Sequence, residues 1–325
     1  MSSEAGGSHF RRQLGNILKV IVSAGLIAYV VLTIDVRQSA RAILSANPWW
    51  LLAAFAVYLI TFIVRAHRWR ALVTGWGARV PIKDLTIWYL VGSFFNSVLP
   101  TGFGGDILRA YELNRRVSDP VLAANSVLVD RYLGIMVLLA MGLIALPFGA
   151  GQIDLQVGLT LGALFVGGLL AGVLLLNQRI WRRGAEKLPL IGDFLSSKLA
   201  GASDVRSYYS AGSIAESALW SLAFNILLII FNVLLGFGLG IHISLRYYLV
   251  FIPICSAVLM LPSVGGLGVR ELSYATLFPR VGVAGPLAVS LSLLVYLSML
   301  AAGLIGGAIY MVSGAGGYLR DAMRR

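Results

Sequence analysis

Six apolar runs dominate this chain, at about 16–34, 48–64, 121–147, 155–176, 214–240 and 283–312. Each is within the length that crosses about 30 Å of hydrocarbon as a helix. A soluble core cannot hide that much apolar sequence: 58% of the 325 residues are hydrophobic, 12% are charged, and the mean hydropathy is +0.84. A compact domain of this composition would leave an apolar surface in water. The pattern excludes a soluble enzyme, a disordered chain and a nucleic-acid-binding domain, and it predicts an all-α polytopic membrane protein. The lone Cys255 excludes a disulfide framework, and His9, His67 and His242 are too scattered for a local cluster, so neither a metal nor a cofactor is expected. The first run lacks the cleavage site of a secretory signal.

Two further apolar segments, 84–99 and 245–261, are shorter, and each runs into a Leu-Pro and a glycine-rich stretch. The first break carries Pro100, Gly104 and Gly105, and the second carries Pro262, Gly265, Gly266 and Gly268. Proline removes a backbone donor and glycine permits φ > 0, so a helix ends at each break, and these residues are the expected hinges. Apolar helix, break and second short helix read as a re-entrant hairpin. Such backbone survives at membrane depth only where protein or a water-filled cavity surrounds it.

The basic residues test that topology. With a cytoplasmic N-terminus and both broken segments returning to their own side, 20 of the 26 Lys and Arg residues fall inside. The outside then holds five, Arg37, Arg41, Arg246, Arg270 and Arg280, while Arg131 lies within a span. The positive-inside rule therefore favours six full spans plus two re-entrant broken-helix hairpins over the alternative of eight full spans. The predicted layout has a cytoplasmic tail over 1–15 and a first membrane half over 16–147, with its hairpin near 84–116. A second half over 148–313 has its hairpin near 245–279, and a basic cytoplasmic tail covers 314–325. The net charge of +12 then marks loops at the inner membrane rather than nucleic acid. Residues 35–47 read as an amphipathic piece at the outer interface and 177–212 as the largest cytoplasmic loop. Trp49, Trp50, Trp69, Trp76, Trp88 and Trp181 read as an interfacial aromatic belt.

Both breaks carry Gly-Gly-x-x-x-Arg with an acid following: Gly104-Gly105 to Arg109 with Glu112, and Gly265-Gly266 to Arg270 with Glu271. The bare pattern is weak, since Gly6-Gly7 to Arg11 also matches. The shared context of apolar helix, Leu-Pro and break gives the two internal copies their weight. Three full spans between them would make them face opposite sides, the inverted-repeat arrangement of many secondary transporters. Asp130 and Arg131 lie about ten residues into an apolar run, where a charge costs roughly 2.5–3.5 kcal/mol and so meets a partner or a cavity. Neighbouring positions point about 100° apart on a helix, so these two need separate opposites, and Asp106, Arg109 and Glu112 are available. Arg109, Arg131 and Arg270 suit an anionic or phosphate-bearing group. Asp106, Asp130 and Glu271 would balance those charges or move a proton, and Asp106 stands where an anion would otherwise sit at the helix start. Ser221, Asn225 and Asn232 form one polar stripe read as interhelical hydrogen bonding, with cavity lining second, and Gly303, Gly306 and Gly307 read as a close helix contact.

Several of these segments resemble one family. Phe95-Asn96-Ser97-Val98-Leu99-Pro100 leads into Gly104-Gly105-Asp106-x-x-Arg109, and Ser126-x-x-x-Asp130-Arg131 follows. With Pro262-x-x-Gly265-Gly266-Leu267-Gly268-Val269-Arg270-Glu271, these are similar to the lysylphosphatidylglycerol synthase transmembrane-region family. The stretch Arg65-Ala66-His67-Arg68-Trp69 fits as well, and the likeness covers about 12–313. Asp130 departs from it, standing where a glutamate is expected. The resemblance implies a flippase-like protein that moves a lipid with a modified polar head between leaflets, like the flippase portion of the multiple-peptide-resistance factor. With the last residue at Arg325, no soluble synthase is expected, so any synthase would be a separate partner.

The expected function is therefore lipid transport across the cytoplasmic membrane, with membrane lipids as partners and an anionic, aminoacylated or glycosylated lipid as cargo. Asp106, Arg109, Asp130, Arg131, Arg270 and Glu271 are the expected site. The rivals are a membrane enzyme transferring a sugar or aminoacyl group to a lipid, with Arg65, His67, Asp106 and Arg109 as its site, and an accessory protein without transport of its own.

Overall fold

The computed structural model describes residues 36–98, 104–149, 153–176, 209–259 and 268–322, together with Leu32, Gly151 and Gly266. The first apolar run, the 177–208 stretch, Pro100, Pro262 and Gly265 lie outside these residues. Every regular element among them is helical. They are α1 (Val36–Leu44), α2 (Pro48–Gly75), α3 (Ile82–Val98), α4 (Gly104–Val117), α5 (Pro120–Ala145), α6 (Leu155–Leu176), α7 (Ala211–Gly238), α8 (Leu245–Val258), α9 (Val269–Leu277) and α10 (Gly285–Ala322). Short 3-10 turns, Leu146–Gly149 and Phe278–Val281, extend α5 and α9.

The helices begin where the sequence supplies a cap. Asn47 accepts from the Trp49 amide at 3.0 Å ahead of Pro48. Asp119 accepts from the Val121 and Leu122 amides at 3.0 and 2.9 Å ahead of Pro120, and Ser210 accepts from the Ser213 amide at 3.0 Å. Each satisfies amides that have no partner within the helix, and proline at the first position has no amide to satisfy. Five described helical stretches are long and apolar enough to cross a membrane: Pro48–Gly75, Pro120–Gly149, Leu155–Gly172, Ala211–Gly238 and Gly285–Val312. They coincide with five of the six apolar runs. The chain is thus an all-helical, multi-pass membrane protein.

α2 and α7 form the central antiparallel pair. The Asn47 amide donates to the Gly238 carbonyl at 2.9 Å, the Tyr58 and Phe231 rings lie 5.0 Å apart, and His67 stacks on Trp220 at 4.7 Å. Each broken segment follows one end of this pair. α3 and α4 run antiparallel, tied at the base by Asp84 and Arg116 at 2.6 Å and near the tip by the Gly105 amide on Asn96 Oδ1 at 2.8 Å. α8 and α9 also run antiparallel, with Tyr248 from the first turn of α8 5.7 Å from Phe278 beyond the end of α9. The first hairpin starts beyond the C-terminus of α2 and the second beyond the C-terminus of α7. Because those two helices are antiparallel, the two bases lie at opposite ends of the molecule.

Water-driven burial contributes little between helices in lipid, so close backbone contact must do more. α10 meets α3 along Gly303, Gly306 and Gly307: a Cβ on Gly306 would lie 1.9 Å from the Leu90 carbonyl oxygen. α3 meets α4 in the same way, since a Cβ on Gly105 would lie 2.4 Å from the Gly92 carbonyl oxygen. Gly104 and Gly105 therefore begin a helix with right-handed backbone, and Gly105 is a contact residue. The left-handed backbone expected of the breaks occurs in the second one, at Gly266 (φ 79°) and Gly268 (φ 82°).

Candidate functional site

The interior charges form one linked chain. Asp130, fully buried on α5, accepts two bonds from Arg68 of α2, from Nε at 2.7 Å and from Nη2 at 3.0 Å. It accepts two more, from the Tyr89 hydroxyl at 2.5 Å and from Arg109 Nη1 at 3.0 Å. Arg109 Nη2 then reaches Asp106 Oδ1 at 2.5 Å, and the other oxygen of Asp106 pairs with Arg131 Nε. Asp130 and Arg131 thus turn to separate partners, as a 100° step on a helix requires. Glu112 takes no part; it lies 3.9 Å from Arg115 on the outer side of α4.

Aromatic rings hold these cations from behind. The Arg109 guanidinium lies 4.2 Å from the Tyr89 ring centre and 5.0 Å from that of Trp69. Trp69 is itself fully buried and donates to Ser126 Oγ at 3.0 Å, so it belongs to the core of the site and not to an interfacial belt. Arg65 lies 4.7 Å from the Tyr89 ring and 5.5 Å from that of Phe224.

Next to this network lies a cavity of about 370 Å³, bounded by α2, α5, α7, α8, α9 and α10. Arg65, Arg68, Arg131 and Arg270 line it together with Asn225 and Asn232, and its lining contains no carboxylate among the described residues. Arg270 enters from the first turn of α9, with its guanidinium 5.5 Å from the Tyr296 ring. The neighbouring Glu271 turns back on its own helix. Its Oε2 accepts from the Gly268 amide at 2.6 Å, and its Oε1 accepts from Ser292 Oγ at 3.2 Å.

The six residues singled out in the sequence therefore divide. Asp106, Arg109, Asp130 and Arg131 meet in one network, Arg270 reaches the cavity from another helix, and Glu271 caps α9. Arg109 lies behind the cavity wall and does not line it. Arg65 and Arg68 were placed in a cytoplasmic loop beyond a span ending at 64, but α2 continues to Gly75 and carries both into the interior. The helical period would have found them, because Phe62, Arg65, Arg68, Trp69 and Leu72 recur at spacings of three and four. Of the polar stripe on α7, Asn225 and Asn232 line the cavity, and one interhelical bond joins Tyr274 to Asn232 Oδ1 at 2.7 Å. Ser221 and Asn225 bond back to their own helix, to the Ser217 and Ser221 carbonyls.

Fold and site together define a multi-pass helical membrane protein with a guanidinium-lined internal cavity. The chain belongs to the family described as the lysylphosphatidylglycerol synthase TM region, which it matches over residues 16–307. It is also similar to a UPF0104 membrane protein of Methanocaldococcus jannaschii, 26% identical over 116 residues, or 35% of this chain and 34% of that one. That match spans about a third of the relative's length. No solved structure matches the chain.

Proposed function

We propose that this protein carries a lipid with a polar, phosphate-bearing head group between the leaflets of the cytoplasmic membrane. The observation that carries this reading is the cavity: four arginines from three helices line a space large enough for a head group, with no carboxylate in the wall among the described residues. Guanidinium groups bind phosphate oxygens through paired, charge-assisted bonds, so such a wall favours an anion. The acyl or prenyl tails stay in lipid while the head crosses, so only a few polar groups need shielding.

In this reading the chain has six full spans and two re-entrant hairpins in an inverted arrangement, with both termini cytoplasmic. The opposite placement of the two hairpin bases supports it, and so does the positive-inside distribution. Arg270 at the tip of one hairpin and Asp106, through Arg131, at the tip of the other engage the same cavity from the two sides, as alternating access requires. In this reading the part played by these helices is transport.

Leaflet exchange in proteoliposomes tests this. The full chain is reconstituted with head-group-labelled phospholipids and glycolipids, and wild type is compared with Asp106→Asn and Arg270→Ala. Exchange above empty liposomes that both substitutions abolish is the expected result. Exchange absent across the lipid panel rejects the transport reading.

A further inference from the structure

Among the described residues the guanidiniums around the cavity outnumber the interior carboxylates. Five guanidiniums, those of Arg65, Arg68, Arg109, Arg131 and Arg270, lie in or directly behind its wall, against three interior carboxylates, Asp106, Asp130 and Glu271. The other acids among the described side chains are engaged elsewhere. Asp84 pairs with Arg116, Asp154 with Arg280 and Glu112 with Arg115, Asp119 caps α5, and Glu216 is exposed. Among the described side chains the guanidiniums thus exceed the carboxylates by two. Arg65 shows where the excess sits, since ring faces of Tyr89, Phe224 and Phe62 hold it and no carboxylate among the described residues lies within ion-pair distance. Ionised side chains inside a membrane protein face a partner, a cavity or a ligand, and here the open side is the cavity.

We infer that the head group taken into this cavity bears two negative charges, as a phosphomonoester or a diphosphate does, rather than the single charge of a phosphodiester. The inference rests on the transport reading above. A phosphomonoester carries about −1.5 to −2 at neutral pH, with its second ionisation near pH 6. It also presents three oxygens to guanidinium forks that arrive from α2, α5 and α9. A head group bearing an ammonium finds no carboxylate in the wall among the described residues to receive it.

Binding to the full-length protein in detergent, with short-chain probes, tests this. Dioctanoyl phosphatidic acid and farnesyl phosphate are compared with dioctanoyl phosphatidylglycerol and phosphatidylcholine, and inorganic phosphate serves as the tail-free arm. The two monoesters are expected to bind about tenfold tighter than phosphatidylglycerol at about pH 7.5, the advantage shrinking to about threefold near pH 5.5 as the second charge is lost. Asn225→Asp adds one carboxylate to the wall and Arg65→Gln removes one cation, so each should shift the preference toward the diester. Equal wild-type affinity for monoester and diester overturns the inference without any variant, and so does a preference that Asn225→Asp leaves unmoved. Inorganic phosphate binding as tightly as the lipids makes the site one for a free anion and overturns the lipid form. Leaflet exchange of the same lipids separates the two levels. Exchange of both kinds at equal rates keeps the transport reading and overturns the charge match, whereas neither binding nor exchange overturns both.

Discussion

Gly134 on α5 lies directly against Arg68 on α2: a Cβ built on the glycine would stand 2.5 Å from Arg68 Nη1. The missing side chain is the space through which the guanidinium reaches Asp130, one helical turn earlier on α5. Gly134→Val should therefore push Arg68 off the carboxylate, and crowding of this kind costs about 1–3 kcal/mol. We expect a lower melting temperature in detergent. An unchanged Tm would show that Arg68 has a second place to go.

Asp130 is the keystone of the charge chain, because it serves two arginines and a tyrosine at once. Asp130→Asn leaves buried cations underpaired, a loss of about 3–5 kcal/mol where one partner of a buried pair is removed. Asp84→Asn breaks the half-exposed pair with Arg116 and should cost about 0–1 kcal/mol. Thermal melting of the two variants side by side measures the difference. Equal effects would mean that Asp130 holds nothing the surface pair does not.

The α3–α10 seam predicts a sharp contrast between glycines. Gly306→Ala drives a methyl to 1.9 Å from the Leu90 carbonyl oxygen, which forces the helices apart. Gly162→Ala on α6 meets nothing within 4 Å and should be neutral or slightly stabilising, since alanine favours a helix by about 1 kcal/mol over glycine. Size-exclusion profiles and melting curves of the two proteins should diverge clearly.

Hairpin topology is open to labelling because Cys255, the sole cysteine, is buried and replaceable by alanine. On that background, single cysteines at Asp84 and Arg116 should react with an impermeant maleimide from one side of the membrane. Cysteines at Arg246 and Arg280 should react only from the other. Asp84→Cys and Arg116→Cys labelling from opposite sides would establish that α3 and α4 cross fully.

Much of this was legible in the sequence, and the reasons differ by region. Apolar length alone locates the helices at Pro48, Pro120, Leu155, Ala211 and Gly285, because a membrane span is set by hydrocarbon thickness. The separate partners of Asp130 and Arg131 follow from helical geometry. The bonds of Glu271 show only in the structure, because a carboxylate in the first turn of a helix has two uses, capping and charge pairing, and the two look alike in sequence. The interior position of Arg65 and Arg68 is hidden from hydropathy, which averages out a buried cation, whereas helical phase shows it. The edge-to-face contact of Trp69 with Tyr89 at 5.8 Å is hidden for a similar reason: a tryptophan near the end of a run looks interfacial until its neighbour is known.

The glycine contacts of α10 with α3 also make one rigid unit of the two helices. Backbones that touch at Gly303, Gly306 and Gly307 cannot slide or rotate past one another without collision, so α3 belongs to the same fixed frame as α10. The second break instead holds left-handed glycines at 266 and 268, and α9 meets α10 through side chains, with Ser292 Oγ on Glu271 Oε1 at 3.2 Å. The two hairpins share a shape but are fastened to α10 differently: one along touching backbones, the other through the side chains of Glu271 and Ser292.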